Sequence, residues 1–322
     1  MNMEADITGL APKKAFIHIG AALIVQFVVT TLVSWAIYLP LNDPQKLHDF
    51  MVTVGPSATL GISYIPRVIG VLAFWLIVRK MPVFKKGGGL GFKNLIQIFL
   101  IMYAVSISLN TIGTTITAFS PAGKSMELES ISSIVTTGNI VGIMIPVLFA
   151  PVLEELVFRK MILDRTKGYG ETTAIVFSAL SFGLFHQNLT QILFAFGVGL
   201  FLGYVYCKTG KVVITMIMHI LINGFSSVLM FIMPMFGKGF NPALVIAVIL
   251  LSNAIIAMLI SGIVLLVKWL KNRRFVLDNS MNNCIPRKDV LKTVYINPAV
   301  VSYIVICIAV SVLSFMNVQL FN

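Results

Sequence analysis

The sequence predicts an all-α fold, a polytopic integral membrane helix bundle with about nine transmembrane helices. Three observations predict it. Of 322 residues, 57% are hydrophobic and only 11% charged, with a mean hydropathy of +0.94, whereas soluble domains carry about a quarter of charged residues. Runs of about 20 apolar residues, enough to cross about 30 Å of hydrocarbon, recur along the whole chain. Finally, the basic residues fall on alternate sides of those runs, as in a chain threaded through a bilayer.

Taken in order, the expected spans are 15–39, 58–78, 95–118, 135–158, 172–187, 189–207, 212–235, 243–270 and 298–318. The first is too long for a signal-peptide core and lacks a small-residue cleavage pattern, so it is read as a retained span. Residues 40–57, 119–134 and 271–297 are polar enough to be loops of some size. KKGGGLGFK, residues 85–93, fits neither GxxxxGK nor GxGxxG spacing and reads as a flexible inner loop. The chain thus divides into N-terminal spans (1–134), a core carrying unusual polar residues (135–235), and C-terminal spans with a basic cytoplasmic loop (236–322). No internal or inverted repeat with paired broken helices stands out, which weighs against a secondary transporter.

The net charge of +12 suggests nucleic acid at first sight. Its distribution argues otherwise. With the amino terminus in the cytoplasm, inner loops hold twenty of the 24 Lys and Arg residues, including Arg159, Arg165 and Lys167. Outer loops hold only Lys46, Lys124 and Lys238, while Arg67 lies within the second span. These charges set topology and favour anionic lipids at the inner loops, KNRR and PRKD above all, so the expected surroundings are a bilayer and no nucleic acid. Cys207 and Cys284 fall on the reducing side and Cys307 in a span, which leaves no disulfide framework or CxxC metal knuckle.

Within the apolar runs, two carboxylates stand out, Glu154 and Glu155 in FAPVLEELVFRK. An ionisable group at membrane depth costs about 2.5 kcal/mol or more and normally faces a bundle interior or a watery cavity. Adjacent helical residues point about 100° apart, so the two are expected to occupy separate environments and do separate jobs. Glu155 and Arg159, four apart, can pair on one face. Pro151 has no N–H for the carbonyl of Val147, which favours a kink and room for water beside Glu154, and Pro146 adds to the disruption. Either the pair is an interfacial charge cluster or it is functional.

Two histidines come in patterned company. Phe182 and His186 in SALSFGLFHQN are four apart, so the ring can pack beside the imidazole. His219 and Asn223 in ITMIMHILINGF have the same spacing and aim two hydrogen-bonding groups from one face of an otherwise apolar helix. His18 and His48 sit at an interface and in a loop and are assigned no role. One carboxylate suited to proton transfer, two imidazoles and an amide on three apolar segments make a set that resembles a hydrolytic site.

The ordered trio EExxxR (Glu154, Glu155, Arg159), FxxxH (Phe182, His186) and HxxxN (His219, Asn223) resembles the CPBP family, which groups CAAX prenyl endopeptidases with bacteriocin-processing and Abi proteins. The resemblance covers roughly residues 135–235. It implies an intramembrane glutamic endopeptidase in which Glu154 activates water with help from His186, His219 and Asn223 hold the oxyanion, and Glu155, Arg159 and Phe182 support the site. It also implies a peptide or protein substrate reached from the membrane, no cofactor or metal, and residence in the plasma membrane of a prokaryote. Competing readings are a zinc hydrolase with Glu154, His186 and His219 as ligands, a non-catalytic bacteriocin-immunity or scaffold protein, and a transporter or channel.

Depth sets a geometric condition. At 1.5 Å per residue Glu154 and His219 should lie about 10 and 12 Å from the inner face, but His186 about 21 Å if its helix starts at 172. Meeting requires that the fifth span tilts, that residues 165–171 enter the membrane, or that the helix starts elsewhere. The site is expected to open toward the inner side.

Overall fold

The computed structural model describes residues 10–41, 43–84, 87–119, 144–232, 241–280 and 284–316. It is all-α, and no strand occurs among the described residues. We number the helices α1 (Pro12–Tyr38), α2 (Pro44–Val54), α3 (Pro56–Ser63), α4 (Ile65–Val78) and α5 (Phe92–Ala118). A broken helix α6 then runs through Ile145–Phe149, Ala150–Glu155 and Leu156–Leu163. It is followed by α7 (Glu171–Phe185), α8 (Leu189–Thr209), α9 (Val212–Ile232), α10 (Pro242–Lys271) and α11 (Pro298–Phe315).

Six described segments are long and apolar enough to cross a membrane: Pro12–Leu41, Gly61–Val78, Phe92–Ala118, Leu189–Thr209, Pro242–Lys271 and Pro298–Phe315. The protein is therefore an integral membrane protein. Glu171–Phe185 and Val212–Ser227 are shorter apolar helices, and the expected span 135–158 is described only from residue 144. Residues 120–134 of the expected loop 119–134, and Lys85 and Lys86, lie outside the described residues.

Three loop expectations need correction. Residues 40–57 contain α2, started by Asp43, whose Oδ1 accepts from the backbone N–H groups of Gln45 (2.9 Å) and Lys46 (3.2 Å). The glycine-rich segment after α4 is anchored: the Gly88 N–H donates to the Lys208 carbonyl at 2.9 Å, and a Cβ on Gly87 would come within 2.8 Å of the Gly210 nitrogen. Residues 164–171, expected as an inner loop, are buried throughout.

That burial has a physical basis. Asp164 Oδ1 accepts from Tyr206 Oη (2.9 Å) and pairs with Lys167 Nζ (3.0 Å), while Oδ2 meets Lys160 Nζ at 2.9 Å. Arg165 donates from Nε to the Val78 carbonyl (2.8 Å), and Tyr169 from its hydroxyl to the Leu10 carbonyl (2.9 Å). Glu171 Oε2 accepts from Lys208 Nζ and the Asp278 N–H, both at 2.7 Å. Polar groups satisfied in this way can leave water without an unpaired cost. Arg159, Arg165 and Lys167, counted as inner-loop charges, are thus buried structural groups.

Packing follows a row of neighbours. Helix α4 lies on α1, α1 on α11, α11 touches α7, α7 packs on α8, α8 on α5, and α5 on α10. Helices α6 and α9 pack against this row, α6 contacting α4, α7, α8 and α9. Close approaches use glycine: a Cβ on Gly262 of α10 would sit 2.2 Å from the Leu100 carbonyl oxygen of α5. Gly262→Val is therefore expected to force α10 away from α5 and destabilise the protein by about 1–3 kcal/mol, the usual cost of overpacking. An unchanged melting temperature in detergent would contradict this.

Candidate active site

The site starts with the break in α6. Ile145–Phe149 and Leu156–Leu163 are wound as π-helix on either side of the α-helical Ala150–Glu155. This is the disruption expected from Pro151, and π-turns of this kind recur at functional sites.

Glu155 and Arg159 are both fully buried, with Glu155 Oε2 3.1 Å from Arg159 Nε. The contact is one of charge rather than a well-aligned hydrogen bond, because Oε2 and all three guanidinium nitrogens lack a partner in hydrogen-bond geometry. The guanidinium carbon lies 4.8 Å from the centroid of Phe182, so an aromatic face shares in holding the cation. The other oxygen, Glu155 Oε1, is 3.0 Å from His219 Nδ1. An ionised carboxylate only accepts, so Nδ1 donates and the tautomer of His219 is fixed from behind.

Glu154 approaches the same imidazole from its other side. Its Oε2 is 3.7 Å from His219 Nε2, and its side chain is 15% exposed, against 0% for Glu155. The two glutamates differ in surroundings, although one buried imidazole lies between them. The turn of α6 sends the carboxylates apart, and the two nitrogens of a five-membered ring are far enough apart to meet both.

Phe182 ties the histidines together. Its ring stands edge-on to His186 (centroids 5.0 Å) and to His219 (5.6 Å). His186 follows the last residue of α7, where Nδ1 lies 3.0 Å from the Phe182 carbonyl. The chain turns there through Gln187, at φ +52°, before Asn188 caps α8 by accepting from the Thr190 N–H. Glu154, His219 and Arg67 all lie close enough to act on His186 electrostatically.

Asn223, one turn beyond His219 on α9, faces a cavity of about 390 Å³ together with His186. Glu154 instead lines a narrow cleft of about 10 Å³, room for one water molecule, beside Gln26, Arg67, Phe158 and Phe185. So the structure gathers Glu154, Glu155, Arg159, Phe182 and His219 directly, and connects His186 and Asn223 to them through Phe182 and the α9 helix. Residues 164–171 are buried inside the protein, and α7 begins at Glu171, close to the expected start, so a different start is not what brings His186 to the site.

The cavity is walled by the α7–α8 turn and by Asn110 of α5, about 27 Å from the basic end of that helix at 1.5 Å per residue. Among the described residues, no group of three His, Cys, Asp or Glu side chains is arranged to hold a metal ion, so Glu154, His186 and His219 are not set as zinc ligands. His219 Nδ1 is moreover taken up by Glu155.

Several residues escaped the sequence reading. Thr215, fully buried, shares a face of α9 with His219 and Asn223 at spacings of four, and its hydroxyl donates to the Val212 carbonyl at 2.9 Å. That TxxxHxxxN stripe was there to be found. Arg67 was noted as the basic residue within a span, but its place beside Glu154 depends on the packing of α4. Gln26, Asn110 and Gln191 are single amides with no periodic signal.

An all-helical membrane protein with carboxylates, imidazoles and a guanidinium drawn together between apolar helices belongs to the class built around an intramembrane polar site. Comparison with known families narrows this. Residues 136–225 match the family model described as Type II CAAX prenyl endopeptidase Rce1-like, and this stretch contains all seven residues of the three motifs. The matched region is thus similar to the CPBP and CAAX protease family, as the motifs led one to expect. No curated protein and no solved structure matches the chain.

Proposed function

We propose that the protein is an intramembrane endopeptidase that hydrolyses peptide bonds of a membrane-associated peptide or protein by glutamate-activated water. One observation carries this reading: His219 stands between Glu154 and Glu155, with Arg159 behind, and Glu154 lines a cleft with room for one water molecule. Glu154 is the general base, its carboxylate exposed to that cleft, and His186 assists in proton handling. As the water attacks, the carbonyl oxygen becomes negative. His219 and Asn223, one turn apart on α9, supply the donors, for with Nδ1 given to Glu155 a protonated ring presents its second N–H at Nε2. Glu155, Arg159 and Phe182 keep the rings in place. No metal takes part.

The substrate reaches the site from the bilayer, and the exposed Lys271, Arg273, Arg274, Arg287, Lys288 and Lys292 favour anionic lipids at the inner surface. This fits a prokaryotic plasma membrane with the amino terminus in the cytoplasm. The test is incubation of the purified full chain, and of its Glu154→Gln and His219→Ala variants, with a quenched peptide library in detergent. Cleavage by the wild type alone is expected; equal cleavage by Glu154→Gln, or none by any of the three, would overturn the reading.

A further inference from the structure

The 390 Å³ cavity is larger than a water-activation site needs. Its size falls within the range of about 300–1,000 Å³ typical of ligand pockets. Beyond His186 and Asn223, its polar wall comes from Asn110, Gln191, Ser226 and Ser227, and no Lys, Arg, Asp or Glu is among the described residues lining it. Asn110 lies outside the stretch that matches the family model. None of these four belongs to the three motifs.

Their chemistry is specific. The hydroxyls of Ser226 and Ser227 donate back to the Ile222 (2.9 Å) and Asn223 (2.8 Å) carbonyls, so each oxygen is left as an acceptor. An amide side chain offers one acceptor and two donors. Gln191 is an exposed amide in the first turn of an otherwise apolar helix, where hydrocarbon would leave it unsatisfied. The wall therefore offers uncharged donors and acceptors together, which complements the alternating C=O and N–H of an extended peptide. A charged side chain would find no Lys, Arg, Asp or Glu among the described residues of that wall and would have to shed its hydration.

The wall is also rigid. Helices α5 and α8 meet closely beside the two amides: a Cβ on Gly113 would come within 2.8 Å of the Thr190 carbonyl oxygen, and the Thr117 and Thr190 hydroxyls are 2.6 Å apart. Asn110 stands three residues before Gly113 and Gln191 one after Thr190, so this contact fixes their relative positions.

We infer that Asn110 and Gln191 hold the backbone of an extended, uncharged segment of the substrate next to the scissile bond, and so set the specificity of the site for neutral sequence. The inference rests on the proposed endopeptidase activity and extends it to substrate class. Both residues act on positioning rather than on the reacting atoms.

The test uses the full chain in detergent and one neutral peptide that the wild type cleaves, together with versions carrying a single Asp at successive positions. Binding of the same fluorescent peptides to the Glu154→Gln variant is measured in parallel. Wild type should reject Asp at one or two positions by about 100-fold in kcat/KM, the order expected where a charge is desolvated without a partner. Gln191→Ala and Asn110→Ala should each raise KM about tenfold with little change in kcat, as for loss of uniform binding. Gln191→Lys should gain cleavage and binding of an Asp peptide that the wild type rejects, an effect that a merely structural role would not produce. Indifference of the wild type to Asp, or an unchanged Asp profile in a folded Gln191→Lys variant, overturns the inference and leaves the protease reading standing. If no peptide is cleaved, the protease reading falls and the inference falls with it, whereas cleavage without charge discrimination overturns the inference alone.

Discussion

Glu154→Gln is expected to lower kcat/KM by about 10²–10⁴, the range lost with a positioned general base, while the melting temperature hardly moves. Glutamine keeps the shape and hydrogen-bonding reach of the side chain but cannot take a proton from water. Little structure depends on the charge: Glu154 is 15% exposed, and its nearest ionisable partner, His219 Nε2, is 3.7 Å away. Its neighbour should behave in the opposite way. Glu155→Gln leaves Arg159 fully buried without its counterion, a loss of about 3–5 kcal/mol for one member of a buried pair. Activity assays and thermal melts on the two single variants separate the roles. Loss of stability with Glu154→Gln, or wild-type stability with Glu155→Gln, would contradict the division of labour.

The same contrast explains how much could be read from the chain. Apolar runs reveal spans because hydropathy and length are properties of one segment alone, which is why the starts of α7, α8 and α10 fall within a residue or two of expectation. The i,i+4 pairing of Glu155 with Arg159 and the Phe182–His186 contact were legible for the same reason. What one segment cannot reveal is a partner distant in sequence. His219 reaches back 64 residues to Glu155, and Tyr206 reaches 42 to Asp164. Hence residues 164–171 read as a solvated basic loop when they are an interior. Likewise, Arg67 and Gln26 gained meaning only when α4 and α1 brought them to Glu154.

Asp164→Ala should be among the most destabilising single substitutions outside the site, costing about 3–5 kcal/mol, because it withdraws a buried carboxylate from several partners at once. Lys167, at 2% exposure, would lose its 3.0 Å ion pair, and the Tyr206 hydroxyl, in a residue 1% exposed, would lose its acceptor. The Phe84 N–H, which donates to the Asp164 carbonyl at 2.6 Å, shows that the backbone at this point also anchors the segment after α4. Lys160→Ala is the internal control. It removes a contact to the same carboxylate, 2.9 Å long, but from a side chain that is 53% exposed, where an ion pair contributes only about 0–1 kcal/mol. Asp164→Asn should fall between them, keeping an acceptor for Tyr206 while giving up the charge. The order Asp164→Ala, Asp164→Asn, Lys160→Ala in thermal melts would show that burial, and not the number of ion pairs, decides the strength of this cluster; equal effects for Asp164→Ala and Lys160→Ala would show that Asp164 is solvated after all.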